Sequence, residues 1–442
     1  MLRREFATKS LDYSRFISKS AGRRRANMIR KLTEAYMVAP KTTPPIFFAG
    51  GMPNSETFPF KEVVVTLKDG LKWTLDESEL SVALQYGPTQ GYPPLVKLWR
   101  EFQKTWHSPK REDWDVVFTC GSQNGCTMIF ELLLEEGHPV MVQSPTYTGI
   151  MSSLNSLAPD VIPIPQDVHG IIPEKINEAF EERIRDGREL PKVLYVNPTG
   201  SNPTGAVLSD ERRLKVYELA QKYNFLIVED DAYYFVHFLD KNPTSFLSID
   251  TDGRVLRLDS FSKIMSAGLR LGVVTANKDI VRKLILSVES NIMHASSLSQ
   301  VLVQKVLQSW GMEGFQKHQK SVQSFYRAKR DAMLDALKKH LTGLAEWAAP
   351  EAGMFVWIRV TAVDNVLPLA MDKCLSKSIF VLPGSAFSWD AAAPSQHLRL
   401  SYSYASLDDM DKGLAAVAEI IREEAGLQTE NESLRSEIQS EH

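Results

Sequence analysis

A lysine that follows two serines and precedes an arginine is the feature with the clearest chemical meaning, in the segment Ser260-Phe-Ser-Lys263-Ile-Met-Ser-Ala-Gly-Leu-Arg270-Leu-Gly272. The preceding residues 255–258 are typical of a buried strand, so Lys263 would follow the carboxyl end of that strand, where open α/β sheets bind ligands. Its amine could form a Schiff base. Ser260, Ser262 and Arg270 could hold a phosphate beside it. A surface lysine in a serine- and glycine-rich loop is the alternative for this motif alone.

Two further segments offer groups that suit a phosphorylated, planar ligand. Ser122 and Gln123 open a predicted helix directly after a strand that ends at Phe118, and the free amides of a helix N-terminus can bind phosphate. An ordinary capped helix start explains the same residues. Tyr147 follows the strand predicted at 140–142 and could stack on a planar ring, or pack at the edge of the core.

Polar side chains also occur at the ends of predicted apolar strands, and in one case within such a strand. Asn202 lies in one of two neighbouring Asn-Pro turns, which turn chemistry alone would explain, yet its amide could donate to a phenolate oxygen. Asp230 ends a strand that should be buried, and a buried carboxylate needs a cationic partner, for which a protonated pyridine nitrogen would serve. Arg399 in an apolar strand needs an anion, which a substrate carboxylate or a structural acid would supply.

Short apolar runs that alternate with amphipathic helices must position these residues. The runs predicted as buried strands are 116–118, 140–142, 161–164, 193–196, 225–228, 255–258 and 271–274. This alternation predicts an α/β fold with a mainly parallel, seven-stranded sheet covered by helices on both faces. From about 279 to 341 the pattern is helical, with a break near Trp310-Gly311. Three later strands, at 353–358, 379–382 and 398–402, predict a smaller α+β domain.

The composition limits the class of protein. The chain has 442 residues, 43% of them hydrophobic, and a formal net charge of -3, which favours a soluble globular protein over a nucleic-acid binder. Three cysteines are too few and too scattered for a disulfide framework or a zinc site, and no apolar run approaches the length of a membrane span. We therefore expect small-molecule partners, with no metal, nucleic acid or membrane.

The two ends of the chain differ in charge. The first 31 residues carry ten basic side chains against two acidic ones, a pattern typical of a mitochondrial transit peptide. A basic arm of the mature protein is the alternative, so a mitochondrial and a cytoplasmic location both stay open. Residues 423–442 are acidic and polar, which predicts a frayed tail.

In this order along the chain, these groups resemble those of fold type I pyridoxal phosphate-dependent aminotransferases. The resemblance runs from Tyr13-Ser-Arg-Phe16 to about Glu424 and is strongest to the kynurenine/alpha-aminoadipate aminotransferase branch. The segments that carry it are Ala49-Gly-Gly51-Met-Pro53-Asn, Ala83-Leu-Gln-Tyr86, Glu229-Asp-Asp-Ala-Tyr-Tyr-Phe235, Trp310-Gly-Met-Glu-Gly-Phe315 and Leu341-Thr-Gly-Leu-Ala-Glu-Trp347. Ala267 departs from the proline that many relatives have there, but the spacing of Lys263 and Arg270 is kept.

The resemblance implies a role for each residue toward pyridoxal 5'-phosphate. Lys263 would be its covalent anchor and the proton shuttle. Asp230 would pair with the pyridine nitrogen, and Asn202 and Tyr233 would bind the phenolic oxygen. The remaining cofactor contacts would be ring stacking by Tyr147, phosphate binding by Ser122, Gln123, Ser260, Ser262 and Arg270, and a phosphate contact from Tyr86 of the neighbouring subunit in a homodimer with shared active sites.

The resemblance also implies the substrates. Arg399 would clamp the substrate carboxylate, with Asn202 and Tyr86 nearby, while Arg30, Gly51 and Phe355 would surround the side chain. If Arg30 acts there, a transit peptide must end before it, and the residues before Leu11 are the ones that could be removed. The implied reaction moves the amino group of L-kynurenine or L-2-aminoadipate to 2-oxoglutarate by a ping-pong mechanism. A broad aromatic amino acid aminotransferase is the alternative, followed by a non-catalytic regulator that binds the cofactor.

The implied domain organisation has four parts. They are an N-terminal arm with part of the small domain (1–58), a large cofactor-binding domain (59–328), a C-terminal small domain (329–425) and an acidic polar tail (426–442).

Overall fold

Each of the apolar runs predicted as a strand of the large sheet forms one. In the computed structural model, which describes residues 11–37 and 46–426, the strands are β1 (Val63–Thr66), β2 (Lys72–Leu75), β3 (Trp114–Thr119), β4 (Pro139–Ser144), β5 (Asp160–Asp167), β6 (Gly170–Ile171), β7 (Val193–Val196), β8 (Leu226–Asp230), β9 (Val255–Ser260), β10 (Gly272–Asn277), β11 (Ala345–Trp347), β12 (Phe355–Val360), β13 (Leu382–Pro383) and β14 (His397–Ser401). The segment before Leu11 and the tail from residue 427 lie outside the described residues.

Helices separate most of these strands. They are α1 (Lys19–Gly22), α2 (Met28–Met37), α3 (Glu77–Ala83), α4 (Pro93–His107), α5 (Gly121–Leu133), α6 (Thr148–Asn155), α7 (Pro173–Arg185), α8 (Asp210–Tyr223), α9 (Phe246–Ile249), α10 (Lys278–Ile292), α11 (Ser297–Leu341) and α12 (Leu407–Glu424). Among the described residues, no helix combines the length and apolar character needed to cross a bilayer.

The described chain divides into two units. Unit 1 runs to Gly137 and resumes over Ser245–Gln316, and unit 2 comprises His138–Thr244 and the residues from Lys317 onward. The fold is α/β, with a large, mainly parallel sheet and a small antiparallel sheet, as the sequence predicts. The expected number of seven strands in the large sheet is wrong by one, because the two-residue β6, too short to show as an apolar run, pairs with β5 as an eighth. The four-part domain division expected from the sequence stays a prediction.

In unit 1, β10 lies between β3 and β9 and is antiparallel to both. Its first residue, Gly272, pairs with Thr119 on one side and with Ser260 on the other. A Cβ at Gly272 would lie 2.6 Å from the amide nitrogen of Ser122. Only glycine therefore lets the start of α5 approach the sheet this closely, which brings the ends of β3 and β9 together.

Aromatic packing fixes the segment that follows β9 in unit 1. The ring centroid of Trp99, on α4, lies 4.9 Å from that of Phe261. Two residues earlier, within β9, the carboxylate of Asp259 accepts hydrogen bonds from Gln103 at 2.6 Å and from Arg257 at 2.8 Å. These buried contacts hold the chain on both sides of Ser260, immediately before Lys263.

In unit 2 the strand order is β8-β7-β4-β5-β6, of which the first four are parallel and β6 is antiparallel. Parallel strands end at the same edge of a sheet, so the segments after β4, β7 and β8 emerge near one another. The strand residues of β7 and β8 are all buried, which matches their continuous apolar pattern.

The small sheet of unit 2 has the order β11-β12-β14-β13 and is antiparallel. One of its faces packs with α12 and the end of α11 around apolar residues that include Leu337, Ile358, Leu398 and Ile421. The N-terminus of α12 is closed by a capping box between Ser406 and Asp409. The other face carries Arg399, which pairs across strands with Trp357.

Two details of the predicted elements are informative. Gly311, with φ 58° and ψ -166°, interrupts α11 and confirms the expected break. The strand predicted at 379–382 is wrong for most of its length, because only Leu382 and Pro383 pair with β14. Ser378 has a left-handed φ of 58° that turns the chain just before this run, and Pro383 lacks an amide donor to extend the ladder.

Candidate active site

A cradle for an anionic group forms in unit 1 where β3 ends and α5 begins. Cys120 occupies the N-cap position without a side-chain cap, so the first amides of α5, beside Ser122 and Gln123, have no side-chain acceptor from that residue. The guanidinium of Arg270 lies next to them, with Nη2 3.4 Å from the carbonyl oxygen of Cys120 and Nη1 3.5 Å from the Ser262 hydroxyl. Two of the predicted phosphate ligands, Ser262 and Arg270, thus lie beside the start of α5, which carries Ser122 and Gln123.

Lys263 follows that cradle directly. The hydroxyl of Ser260 accepts a hydrogen bond of 3.2 Å from the amide of Ser262, which forms a tight turn at the end of β9. The side chain of Lys263 is half-buried, whereas Arg270 is exposed. Lys263 therefore directly follows Ser262, whose hydroxyl lies beside the Arg270 guanidinium, and both of these groups suit a phosphate dianion.

Tyr86 lies in a second cluster of unit 1, in a loop clamped by three side chains. Arg30, on α2, donates from Nη2 to the Gly87 carbonyl oxygen at 2.7 Å and to Thr89 Oγ1 at 2.8 Å. The amide of Gly87 donates to Nε2 of His294 at 3.2 Å, and the ring of Tyr86 lies edge-on to that histidine, with centroids 6.1 Å apart. Ser297 Oγ donates to the carbonyl oxygen of Gln85 at 3.1 Å.

This clamp changes the description of Arg30. Its side chain is buried, with 5% of the residue exposed, and its Nη2 is engaged by the loop of Tyr86. Its predicted contact with the substrate side chain stays a prediction. The pocket role of Gly51 also stays a prediction: apart from its chain neighbours, no heavy atom of the described residues lies within 4 Å of its Cβ position. Burial lowers the pKa of His294, and the positive charge of Arg30 lowers it further.

In unit 2, Asp230 is held at the end of β8 by two residues of the neighbouring strand and turn. The hydroxyl of Tyr195 donates to Oδ2 of Asp230 at 2.7 Å. The side-chain amide of Asn197 donates to the main-chain oxygen of Asp230 at 2.5 Å, and its Oδ1 accepts from the amide of Asn202 at 2.8 Å. Asn197 thereby links the backbone of Asp230, which supplies the predicted carboxylate, to the backbone of Asn202, which supplies the predicted amide.

The sequence analysis missed Tyr195, Asn197 and Gln143. Gln143 on β4 accepts from the amide of Asn197 at 2.8 Å and donates to Ser201 Oγ at 3.0 Å, so it supports the same turn. One available signal was a tyrosine hydroxyl in an otherwise aliphatic buried strand, because such a hydroxyl needs a partner. The adjacent strand offers Asp230 at its end.

Arg399 lies on β14 with its guanidinium between two aromatic rings. Its Cζ lies 4.1 Å from the ring centroid of Phe355 and 5.1 Å from that of Phe387, another residue that the sequence analysis missed. Nη1 donates to Oδ1 of Asn202 at 2.8 Å. The buried Nε of Arg399 has no acceptor within the described part of the chain, so the guanidinium retains a donor for a carboxylate. Burial lowers the pKa of this guanidinium.

Tyr233 and Tyr147 accompany Arg399 in unit 2. Tyr233 is buried and lies edge-on to Phe355, with ring centroids 6.0 Å apart. Burial raises the pKa of Tyr233, which the positive charge of Arg399 partly offsets, so the phenol remains a hydrogen-bond donor at neutral pH. Tyr147, at the N-cap position of α6, is close enough to influence the pKa values of both residues.

Two glycines bring the Asn202 turn against the small sheet. Gly200 and Gly353 both have positive φ angles, of 62° and 81°. A Cβ on Gly200 would lie 2.6 Å from the amide nitrogen of Gly353, and a Cβ on Gly353 would lie 2.9 Å from the carbonyl oxygen of Gly200. The two backbones therefore meet directly, which places Asn202 within reach of Arg399.

Comparison with known proteins identifies the family of this chain. Residues 49–417 match the family described as aminotransferase class I and II. The chain belongs to this family. A mitochondrial kynurenine/alpha-aminoadipate aminotransferase of Bos taurus is 40% identical over 425 residues, which cover 93% of this chain and 100% of that protein. The resemblance stated from the sequence is thus confirmed.

Solved structures of the family agree with the fold. A Pyrococcus horikoshii kynurenine aminotransferase in complex with PMP is 30% identical with a TM-score of 0.75, covering 93% of this chain and 98% of its own. The aromatic aminotransferase Aro9 from C. albicans is 26% identical with a TM-score of 0.83, and covers 93% of this chain and 98% of its own.

Pyridoxal 5'-phosphate is the cofactor of this aminotransferase, as predicted. The described residues fit it. Unit 1 offers the anion cradle of Ser122, Ser262 and Arg270 with Lys263 beside it, which suits the phosphate and the aldehyde. Unit 2 offers the buried carboxylate of Asp230, which suits a protonated ring nitrogen. It also offers the side-chain amide of Asn202 and the phenol of Tyr233, which can donate hydrogen bonds to an anionic oxygen.

Proposed function

We propose that this aminotransferase moves the amino group of L-kynurenine or L-2-aminoadipate to 2-oxoglutarate in two half-reactions. The observation that carries the proposal is the Arg399 guanidinium, which is sandwiched by Phe355 and Phe387 and bonded to Asn202 while its Nε lacks an acceptor in the described residues. Such a group binds the carboxylate that every amino-acid and 2-oxo-acid substrate shares. The Bos taurus relative supports the choice of donors.

When bound, pyridoxal 5'-phosphate supplies an electron-accepting ring that stabilises negative charge at the substrate α-carbon. Lys263 holds the cofactor covalently and, once the substrate amine has taken its place, moves a proton at the α-carbon. Asp230 keeps the ring nitrogen protonated, while Asn202 and Tyr233 donate to the phenolic oxygen. Arg399 fixes the carboxylate and so sets the direction of the α-hydrogen relative to the ring.

The phosphate is held by the unit 1 cradle, in which Arg270 supplies charge and Ser122, Ser260 and Ser262 supply hydroxyl donors. Gln123 in the first turn of α5 contributes to the same site, and Tyr147 stacks on the ring. These assignments are supported by the location of each group in its unit and by the chemistry of a phosphate dianion, which prefers helix amides and guanidinium groups.

Two substrate preferences are to be compared, namely the preference for kynurenine or aminoadipate and a broad preference for aromatic amino acids. The aromatic residues next to Arg399, namely Phe355, Phe387 and Tyr147, also suit an aromatic donor, and the C. albicans structure is of an aromatic aminotransferase. Assays of aminoadipate, kynurenine and phenylalanine at equal concentrations separate the two. A kcat/KM for phenylalanine above both other values would favour the broad aromatic enzyme.

Lys263 provides the test of the reaction itself. Borohydride reduction of the holoenzyme should attach the cofactor to the peptide that contains Lys263. Mass spectrometry of the digested protein would detect the labelled peptide. Lys263→Ala should lower kcat by about 10²–10⁴-fold, because a positioned acid/base group contributes that much, while the protein still binds cofactor without a covalent bond. Lys278→Ala, a half-buried lysine of the same unit, is the control. Labelling elsewhere, or full turnover without Lys263, would contradict the proposal.

We further propose a homodimer in which Tyr86 reaches the phosphate site of the partner subunit. Unit 1 exposes large apolar side chains around the clamped loop and the arm, and the second copy would cover them. They include Met28 at 66%, Ile29 at 52%, Phe48 at 96%, Val82 at 51% and Tyr86 at 42% exposure.

The same chain is proposed to act in mitochondria. The basic N-terminal segment supports this location, as does the mitochondrial relative from Bos taurus. Tyr13 is buried and donates to the carbonyl oxygen of Gly253 at 2.7 Å, so any processing that preserves the fold would end before it, among the residues that precede Leu11.

A further inference from the structure

Tyr195 contacts the carboxylate on which the proposed chemistry depends. Its pairing with Val228 in the adjacent parallel strand places the two side chains side by side, and Asp230, two residues further along β8, lies on the same face. The hydroxyl donates to Oδ2 of Asp230 at 2.7 Å. Tyr195 is 0% exposed and Asp230 is 6% exposed, so water does not replace this donor.

We propose that Tyr195 is a positioning residue for Asp230: its hydroxyl fixes Oδ2 and draws charge from the carboxylate, so that the proton shared with the ring nitrogen of the cofactor stays on the nitrogen. The inference rests on the role proposed above for Asp230.

A hydrogen bond to the ionised form of a carboxylic acid makes that carboxylate a weaker base. An O–H donor to a carboxylate in a dry site is among the stronger hydrogen bonds in proteins. Without the Tyr195 donor, Asp230 would take the shared proton more readily. A neutral pyridine ring accepts electrons less well than a protonated one, so the reaction would slow without a loss of substrate affinity.

Asn197 provides a useful contrast. It also bonds to Asp230, but through the main-chain oxygen, so it fixes the position of the backbone and leaves the charge of the carboxylate unchanged. Tyr195 is therefore the residue of this pair that can influence where the proton lies.

The test uses holoenzyme reconstituted with pyridoxal 5'-phosphate labelled with ¹⁵N in the ring, because the ¹⁵N chemical shift reports protonation directly. Tyr195→Phe should move the signal toward the value of neutral pyridine and lower kcat about tenfold, with KM within about twofold of the wild type. Tyr223→Phe is the matched control, since it removes a phenol hydrogen bond of the same length, 2.7 Å to Asn177, from the helices of the same unit.

A second variant protects the test against a folding defect. 3-Fluorotyrosine at position 195 keeps the shape and the hydroxyl but is a more acidic donor. It should move the ¹⁵N signal in the opposite direction, further from neutral pyridine. If Tyr195 served only for packing, the two variants would not shift the ¹⁵N signal in opposite directions. A signal that stays at the wild-type position in both variants would overturn the inference.

Asp230→Asn separates this failure from a failure of the proposed function. If Asp230→Asn gives a neutral ring while the Tyr195 variants match Tyr223→Phe, only the role of Tyr195 is wrong. If Asp230→Asn leaves the ring protonated, the proposed role of Asp230 itself fails, and the inference fails with it.

Discussion

The guanidinium of Arg399 leads to a prediction about KM. It is flat, lies between two rings and can offer two parallel donors, which an ammonium group cannot match. Arg399→Lys should raise KM for every amino-acid donor by about 10–100-fold, since a hydrogen bond to a charged group contributes about 1.5–3 kcal/mol. Steady-state kinetics with several donors measures this.

Arg359→Lys is the control for that variant. Arg359 also lies on the small sheet, but it is exposed and pairs with Glu346 at 2.7 Å, and surface ion pairs contribute little. Its KM values should stay within about twofold of the wild type. Equal KM values in both lysine variants would show that Arg399 does not bind the carboxylate.

The sequence alone predicted the residues whose types are out of place in their surroundings. Asp230 and Arg399 are charged groups at or inside apolar strands, and Lys263 lies among serines and an arginine of the kind that can bind phosphate, so each suggested its own chemistry. Tyr195 gave a weaker signal, a hydroxyl in an aliphatic strand, because tyrosine is common in strands and its partner lies on another strand. Residues of ordinary type become functional candidates only when the register is known.

Among the elements, strand ends determine which groups meet. Gly272 pairs with both Thr119 and Ser260, and this register assembles the anion cradle of unit 1. The order β8-β7-β4 does the same for Asp230, Asn197 and Gln143 in unit 2. The apolar runs were enough to predict these strands, whereas their order depends on crossovers that local sequence does not encode. The short edge strand β13 was overestimated for a different reason, namely the turn at Ser378 and the missing amide of Pro383.

The clamped loop of Tyr86 leads to an expectation about pH. Burial and the charge of Arg30 hold the pKa of His294 below its usual value of 6.5. The folded chain therefore keeps this histidine neutral while the unfolded chain takes up a proton, so its contribution to stability is present above pH 6.5 and is lost as the pH falls below it. His237 and His397, whose pKa values burial also lowers, act in the same direction.

Chemical denaturation at pH 5.5 and 7.5 measures that dependence. His294→Gln should make the free energy of unfolding less sensitive to pH than in the wild type, because one depressed histidine has been removed. His169→Gln changes an exposed histidine and serves as the control. An unchanged pH dependence in His294→Gln would show that the clamp does not require a neutral ring.

At the scale of the whole molecule, the proposed sharing of active sites can be tested with hybrid dimers. Suppose that subunits carrying Lys263→Ala and Tyr86→Ala are co-expressed with different tags and purified as the mixed dimer. If Tyr86 acts across the interface, one of the two sites has a lysine from one chain and a tyrosine from the other, so about half of the wild-type activity should return.

The control hybrid combines Lys263→Ala with Asp230→Asn. Both residues are proposed to serve the site of their own subunit, so neither site of this hybrid is complete and it should remain inactive. If the first hybrid were equally inactive, Tyr86 would act within its own chain. A monomeric protein by light scattering would contradict the dimer itself.

The direct backbone contact between Gly200 and Gly353 has a consequence for how this chain can evolve. Each glycine occupies the space that a methyl group on the other would need, so neither position gains freedom when its counterpart changes. A lineage can vary the aromatic residues near Arg399, and with them the choice of amino donor, while these two positions stay fixed. Substrate range and the framework that supports Asn202 are therefore able to diverge at different rates.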